Sequence, residues 1–142
     1  FEALTPTELY DLLQLRSAVF VVEQQCIYLD PDGKDREALH ILGYLDGELV
    51  AYTRAFAPGA YMERASIGRV SVRESHRGLG LAKEIMRASM EAVEKTFGTA
   101  DIALSAQSYL KRFYTELGYQ AVGEEYLEDG IPHIKMIRQQ PS

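Results

Sequence analysis

A chain of 142 residues, 46% hydrophobic and 25% charged, has the length and composition of one globular domain with a single core, so disorder is not the default. Its net charge of -6 speaks against a general nucleic-acid binder, whose affinity comes from a basic surface, and suits cationic partners. One cysteine, Cys26, rules out an internal disulfide and fits a reducing compartment such as the cytoplasm; no apolar run approaches membrane-spanning length, and no signal peptide is read at the start.

The first element is a helix. Thr5-Pro6-Thr7-Glu8 is a capping box, with Thr5 as N-cap, Pro6 in the first helical position and Glu8 reaching back. Leu9, Leu12, Leu13, Val19 and Phe20 follow helical spacing, so this face is expected to cover a sheet. Arg16 falls on the same face and is expected to snorkel to its edge. The β-branched run Val19-Phe20-Val21-Val22 should end the clean helix before Gln24. Residues 24–37 read as a polar loop. Its stretch Asp30-Pro31-Asp32-Gly33-Lys34-Asp35 has the wrong spacing for a calcium loop, whose twelfth position needs a glutamate and here is Ile41, so a solvated turn is expected.

A hairpin follows, His40–Leu45 and Leu49–Phe56, joined by the two-residue turn Asp46-Gly47. Ala57-Pro58-Gly59-Ala60 breaks its second strand. Ile67, Val70 and Val72 suit a mostly buried strand, with Gly68 permitting a bulge. A long helix is predicted from about Gly80 to Phe97, then a short apolar strand over Ile102–Ala106, buried on both faces. Tyr109–Leu117 reads as a short helix stopped by Gly118 in the left-handed conformation. Tyr119–Tyr126 and His133–Ile137 form a final antiparallel pair, with Glu128-Asp129-Gly130-Ile131-Pro132 between them. The first half is antiparallel, and the strand–helix–strand unit from Ile67 to Ala106 should be parallel and right-handed. The result is an α/β chain: one mixed sheet with helices on its faces, in a single domain over residues 1–142.

The chemistry gathers where that strand meets the long helix, at Arg77-Gly78-Leu79-Gly80-Leu81-Ala82. A glycine-bearing loop that opens a helix suits an anion. Its backbone can come close, and the free N–H groups of the first turn point at the ligand. The pattern is neither a Walker loop, which needs Gly-Lys-Ser/Thr, nor the dinucleotide fingerprint, which is one residue longer. From local chemistry a phosphate site and a plain glycine turn both stand. Elsewhere His40, His133, Glu23 and Glu128 are candidates for a general base, although a histidine at a strand end is more often a polar surface residue. His76 precedes the loop and can be read either way. The histidines and Cys26 show no metal-ligand spacing, so no metal is expected; Cys26 reads as an idle thiol.

Arg77, Gly80 and Ala82, preceded by Val70-Ser71-Val72, resemble the pyrophosphate-binding signature of the GNAT acyltransferases. Phe113-Tyr114-Thr115-Glu116-Leu117-Gly118-Tyr119 is similar to a second segment of that family, in the right order and spacing. Arg16–Gln24 and Glu128–His133 further resemble its ElaA-like branch. The resemblance implies a GNAT-like mixed sheet, whose two parallel strands (here near 66–73 and 101–106) splay to admit acetyl coenzyme A as cosubstrate.

It also implies roles. The N–H groups of Gly78, Leu79, Gly80, Leu81 and Ala82, with Arg77, would take the pyrophosphate. Val70, Ser71 and Val72 would offer backbone groups to the pantetheine arm and thioester. Tyr114 would be the acid that protonates the leaving thiolate; by spacing alone it reads as a packed aromatic beside Tyr109 and Phe113. Gln107 stands where the family has an asparagine on the pantetheine arm, and Leu110 where a small alanine is usual. His133 is taken as the second catalytic residue, with the base among His133, His40, Glu23, Glu128 or a water chain. The expected activity is acetyl transfer to an amine, small-molecule or peptide, by direct attack in a ternary complex; the alternative is a catalytically silent coenzyme A-binding sensor or interaction module. Acidic loops (Asp30, Asp32, Asp35, Glu128, Asp129) hint at a cationic acceptor. No nucleic-acid or membrane partner is expected, and exposed strand edges leave a homodimer open.

Overall fold

A computed structural model describes residues 1–25 and 29–139, which leaves Cys26 outside. The six-stranded sheet has the order β1 (Leu39–Leu45), β2 (Glu48–Phe56), β3 (Ala65–Val72), β4 (Ile102–Gln107), β6 (Ile131–Arg138), β5 (Gln120–Glu128), and the chain groups into two compact units, Phe1–Ala55 with Arg69–Ser89, and Phe56–Gly68 with Met90–Ser142. No helix among the described residues is long and apolar enough to cross a membrane.

In the first unit, helix α1 (Pro6–Arg16) starts as its capping box dictates. Thr5 Oγ1 accepts from the Glu8 N–H at 3.1 Å, and Glu8 Oε1 accepts from the Thr5 N–H at 2.9 Å. The helix does not end at the β-branched run. It continues as π-helix over Ser17–Glu23. Val19 and Phe20 are held there by the core of Leu12, Leu15, Leu49 and Tyr52, and tertiary packing overrides weak local propensity.

Strands β1 (Leu39–Leu45) and β2 (Glu48–Phe56) pair antiparallel through the expected turn. Asp46 (φ 52°) and Gly47 (φ 80°) are both left-handed, the geometry that Asp-Gly favours in a hairpin. Gly43 faces Ala51 and Tyr44 faces Leu49, so Val50 is an extra residue in β2. Two carbonyls at this bulge serve the next strand, β3 (Ala65–Val72): Arg73, just after it, donates its N–H to Val50 O at 2.8 Å and its Nε–H to Leu49 O at 3.0 Å. Helix α2 (Leu81–Phe97) approaches closely at Gly43, where a Cβ would lie 3.2 Å from the Ala51 Cβ and 3.5 Å from the Ile85 side chain.

In the second unit, β4 (Ile102–Gln107) is parallel to β3, with Ala65 opposite Ile102 and Ser66 opposite Ala103. Strand β6 (Ile131–Arg138) lies between β4 and β5 (Gln120–Glu128) and is antiparallel to both. The β5–β6 connection is tighter than the sequence suggested. Asp129 (φ 50°) and Gly130 (φ 76°) form a second two-residue left-handed turn, and the strands run on to Glu128 and from Ile131. Strand β5 bulges after Val122, where Gly123 has φ 77°.

Helix α3 (Lys111–Glu116) is shorter than expected, because Ser108–Leu110 is a 3-10 turn. It stops at Gly118 (φ 96°) in a Schellman motif: Tyr119 N–H donates to Tyr114 O at 3.0 Å and Gly118 N–H to Thr115 O at 3.1 Å. Tyr109 is 75% exposed and is no part of the core, whereas Tyr114 and Tyr119 are buried.

Candidate functional site

The loop that joins β3 to α2 lies in the first unit. A 3-10 turn at Glu74–His76 leads to extended Arg77, then to Gly78 (φ 83°) and Gly80 (φ 80°). A side chain is strained at such φ values, and there is empty space where each Cβ would be, so conformation rather than crowding calls for glycine. The Glu84 N–H donates to Gly80 O at 3.2 Å and closes the first helical turn. The N–H groups ahead of it have no carbonyl within the helix to bond. Polar backbone, open space and the positive end of a 17-residue helix fit a phosphate.

Arg77 is not extended freely over this loop. Its guanidinium meets both Glu23 carboxylate oxygens, with Nη2 2.6 Å from Oε1, and donates to Val72 O from Nε at 3.1 Å and Nη2 at 3.0 Å. These bonds tie the π-helical segment and the end of β3 to the loop. The hydrogen bond from Arg77 holds the Glu23 carboxyl below its ordinary value. Val70 and Val72 are half-buried, and Ser71 is buried with its hydroxyl donated to Arg69 O at 2.9 Å. Leu79 is exposed. His76 accepts or donates at Nδ1 with Ser75 Oγ at 2.8 Å.

One expectation about the first unit fails and another holds only in part. Arg16 does not snorkel: it is fully buried, with Nε 2.9 Å from Asp30 Oδ2 and Nη1 2.7 Å from Asp35 Oδ1. The Asp30–Asp35 stretch is solvated only over residues 31–34, which are exposed, and its two ends turn inward. Asp30 and Asp35 are buried, Arg54 reaches Asp32 at 2.6 Å and Asp35 at 3.0 Å, and Arg69 reaches Asp30 at 3.2 Å. Three arginines answer three aspartates, so these carboxylates lend no free charge to a cationic acceptor.

Hydrogen bonds set the ionisation of the cluster. The bond from Arg54 holds Asp32 well below the carboxylate range. Burial pushes Asp35 upward, but the bonds from Arg16 and Arg54 outweigh it and the net shift is down. His40 belongs to the same network, with Nδ1 2.6 Å from Tyr52 Oη and Nε2 2.8 Å from Asp35 O; burial pushes its pKa down. Both of its ring nitrogens are engaged in this network.

The second unit holds the remaining candidates. Tyr114 is 5% exposed, edge-on to Phe113 at 5.0 Å and to Tyr119 at 6.0 Å between ring centroids. Burial raises its pKa above that of an ordinary phenol, so it stays protonated at neutral pH. Gln107 is half-buried at the end of β4, and the register places it directly opposite His133. His133 is 8% exposed, with Nδ1 2.7 Å from Ile131 O and Nε2 3.2 Å from Glu128 Oε2. Two base candidates, His133 and Glu128, are thus brought into one pair, whereas Glu23 is taken by Arg77.

Sequence reasoning missed Tyr126 and Ser105, which touch each other beside this pair. The signal was present. Once Asp129-Gly130 is read as a two-residue turn, strand alternation puts Tyr126, Glu128 and His133 on one face. Among the described residues no group of three or more His, Cys, Asp or Glu side chains is arranged to hold a metal ion.

The chain has relatives among known proteins in both sequence and fold. Protein ElaA of Escherichia coli is 44% identical over 138 residues, 96% of this chain and 90% of that protein. UPF0039 protein sll0451 of Synechocystis is 38% identical over 99% of this chain and 92% of that protein. Among solved structures, an acyl-CoA N-acyltransferase from Pseudomonas aeruginosa is 43% identical with a TM-score of 0.90, covering 96% of this chain and 93% of that one. An aminoglycoside 6'-N-acetyltransferase complexed with coenzyme A shares the fold alone, at 18% identity and a TM-score of 0.75 over 100% of this chain and 97% of that one. The family model described as an acetyltransferase (GNAT) domain matches residues 18–139, and with it the chain belongs to the GNAT family.

Proposed function

We propose that this protein moves an acetyl group from acetyl-CoA to an amine acceptor, within the GNAT family to which the chain belongs. The observation that carries the reading is the loop at residues 77–82, where two left-handed glycines with open space above them lead into the start of α2. The N–H groups of Gly78, Leu79, Gly80, Leu81 and Ala82 bind the pyrophosphate. Arg77, ion-paired with Glu23, holds the loop to Val72 and stands beside the pyrophosphate as a hydrogen-bond donor. Val70, Ser71 and Val72 present backbone groups to the pantetheine arm, and an N–H near Val70 faces the thioester carbonyl as negative charge develops. The thioester supplies an acyl carbon with a thiolate leaving group.

In the second unit, Gln107 bonds the pantetheine amides. Tyr114, kept protonated by its burial, donates its proton to the departing sulfur. His133 takes part in removing the proton of the acceptor amine. The whole chain, residues 1–142, serves as one acetyltransferase domain.

Calorimetric titration with acetyl-CoA tests the cofactor. Wild type binds, and a Gly80→Trp variant, which fills the loop and cannot keep φ 80° without strain, does not bind while its circular dichroism stays that of a folded chain. A folded wild type that ignores acetyl-CoA would sink the reading. Binding with no turnover on any amine would leave a coenzyme A-binding module in its place.

A further inference from the structure

Strands β4, β6 and β5 collect a polar face in the second unit. Register sets Gln107 opposite His133, Ser105 opposite Lys135, and Tyr126 opposite His133, so these side chains share one side of the sheet with Glu128. The Tyr126 ring stacks on His133 at 6.2 Å between centroids. His133 is buried, while Glu128 and Tyr126 are about half open to solvent, so the group can be reached from outside.

The direction of each hydrogen bond here can be assigned. An ionised carboxylate only accepts, so the Ser105 hydroxyl donates to Glu128 Oε2 at 3.3 Å. That uses the one hydrogen of the serine, so the Tyr126 hydroxyl donates to Ser105 Oγ. The Ile131 carbonyl also only accepts, so His133 Nδ1, 2.7 Å away, carries a hydrogen. What is left is His133 Nε2, 3.2 Å from Glu128 Oε2. These atoms attract each other with a proton between them. Without one, two lone pairs face each other. The pair is built to receive a proton, and its carboxylate to hold a cation while it does so.

We infer that the Glu128–His133 pair binds the ammonium of a primary aliphatic amine and takes its proton, with Ser105 and Tyr126 positioning the carboxylate. This rests on the acetyl-transfer reading above. The substrate R–NH3+ gives one proton to the gap between Oε2 and Nε2. The freed lone pair forms the C–N bond at the thioester carbonyl, and the C–S bond breaks. A second N–H proton passes to the sulfur by way of Tyr114, and the pair returns its own proton to water. The sum is an ammonium and acetyl-CoA in, and an N-substituted acetamide, coenzyme A and one proton out. On the same face of the sheet stand Tyr126 on β5 and Lys135 on β6, with Ser105 and Gln107 on β4. Arylamines, uncharged at neutral pH, and alcohols do not meet the requirement for a cation.

Nitrogen-15 histidine NMR on the full chain tests this without needing turnover, with 1,4-diaminobutane, spermidine and a lysine-containing tripeptide as probes and aniline as control. His133→Gln assigns the resonances. The expected result is a saturable shift of His133 Nε2 with at least one aliphatic amine and none with aniline. The shift is lost in Glu128→Gln, and the affinity is weakened at least about tenfold in Ser105→Ala, the size of one charge-assisted hydrogen bond. A His133 signal that ignores all three amines, or responds unchanged in Glu128→Gln, overturns the inference. Acetyl-CoA titration of the same samples separates the two readings. Acetyl-CoA binding with a silent His133 overturns this inference alone. An amine response without acetyl-CoA binding overturns acetyl transfer and supports the ammonium site.

Discussion

Arg16 makes two ion pairs in a fully buried position, and removing it leaves Asp30 and Asp35 short of a counter-charge. Breaking a buried pair from one side is far costlier than a surface change. Arg16→Met should therefore lower unfolding stability by about 3–5 kcal/mol, measured by denaturant titration, where an exposed charge change gives under about 1 kcal/mol. The same cluster sets a pH dependence. Asp32, Asp35 and His40 all have pKa values lowered in the folded chain. A lowered value means that the unfolded chain binds the proton more readily, so the stabilisation is complete above the unfolded value and is lost as pH falls toward the folded one. Stability should begin to drop below about pH 6.5, where unfolded histidine titrates, and fall more steeply below about pH 4, where unfolded aspartate does. A midpoint in guanidinium that stays constant from pH 7 to pH 4 would contradict this. At Tyr114, replacement by Phe keeps the ring contacts and removes only the hydroxyl, so acetyl-CoA affinity should hold while kcat falls roughly a hundredfold, in steady-state assays on an amine that wild type accepts.

Among the elements, the β3–α2 loop owes its shape to backbone conformation. Gly78 and Gly80 sit at φ 83° and 80° with nothing near their missing Cβ atoms. Gly78→Ala should cost about 1–2 kcal/mol from strain alone, seen as a lower thermal midpoint. Gly43 differs. Its φ is unremarkable, but a Cβ would press on Ala51 and Ile85. There Gly43→Val should cost about 1–3 kcal/mol by crowding α2 away from the hairpin, and Ile85→Ala in the same chain should restore part of it. The elements that sequence revealed were those encoded by neighbours: the Thr5–Glu8 box, the Asp46-Gly47 turn, the Gly118 stop and the glycine loop. Those it misjudged depend on distant partners. The π-helical run over Ser17–Glu23 is held by the core, and the Arg16 and Asp35 environments are set by residues up to 38 positions apart, Arg16 to Arg54, that no local pattern joins.

For the molecule as a whole, the mixed sheet and its parallel strand–helix–strand unit were legible because a right-handed crossover leaves few alternatives. The placement of β6 between β4 and β5 was not, since a local hairpin says only that its two strands pair and not which of them meets the rest of the sheet. That placement is what matters for the candidate site: it brings His133 beside Gln107, and Ser105 within reach of Tyr126 and Glu128. If acetyl-CoA binds only the folded chain, a concentration of 100 times its dissociation constant adds about 2.7 kcal/mol of stability. For a chain of this length that is a rise in melting temperature of roughly 5–10 °C, readable by differential scanning fluorimetry.

The six-charge cluster also bears on how this sequence can drift. Arg16, Arg54 and Arg69 balance Asp30, Asp32 and Asp35, and Asp35 is shared by two of the arginines. No single neutral replacement keeps that balance, so exchange at these positions has to be concerted. In an alignment of relatives, a protein that lacks the carboxylate at position 35 should also lack an arginine at 16 or 54, and a chain that varies one of them freely would show that the buried charges are held by something other than each other.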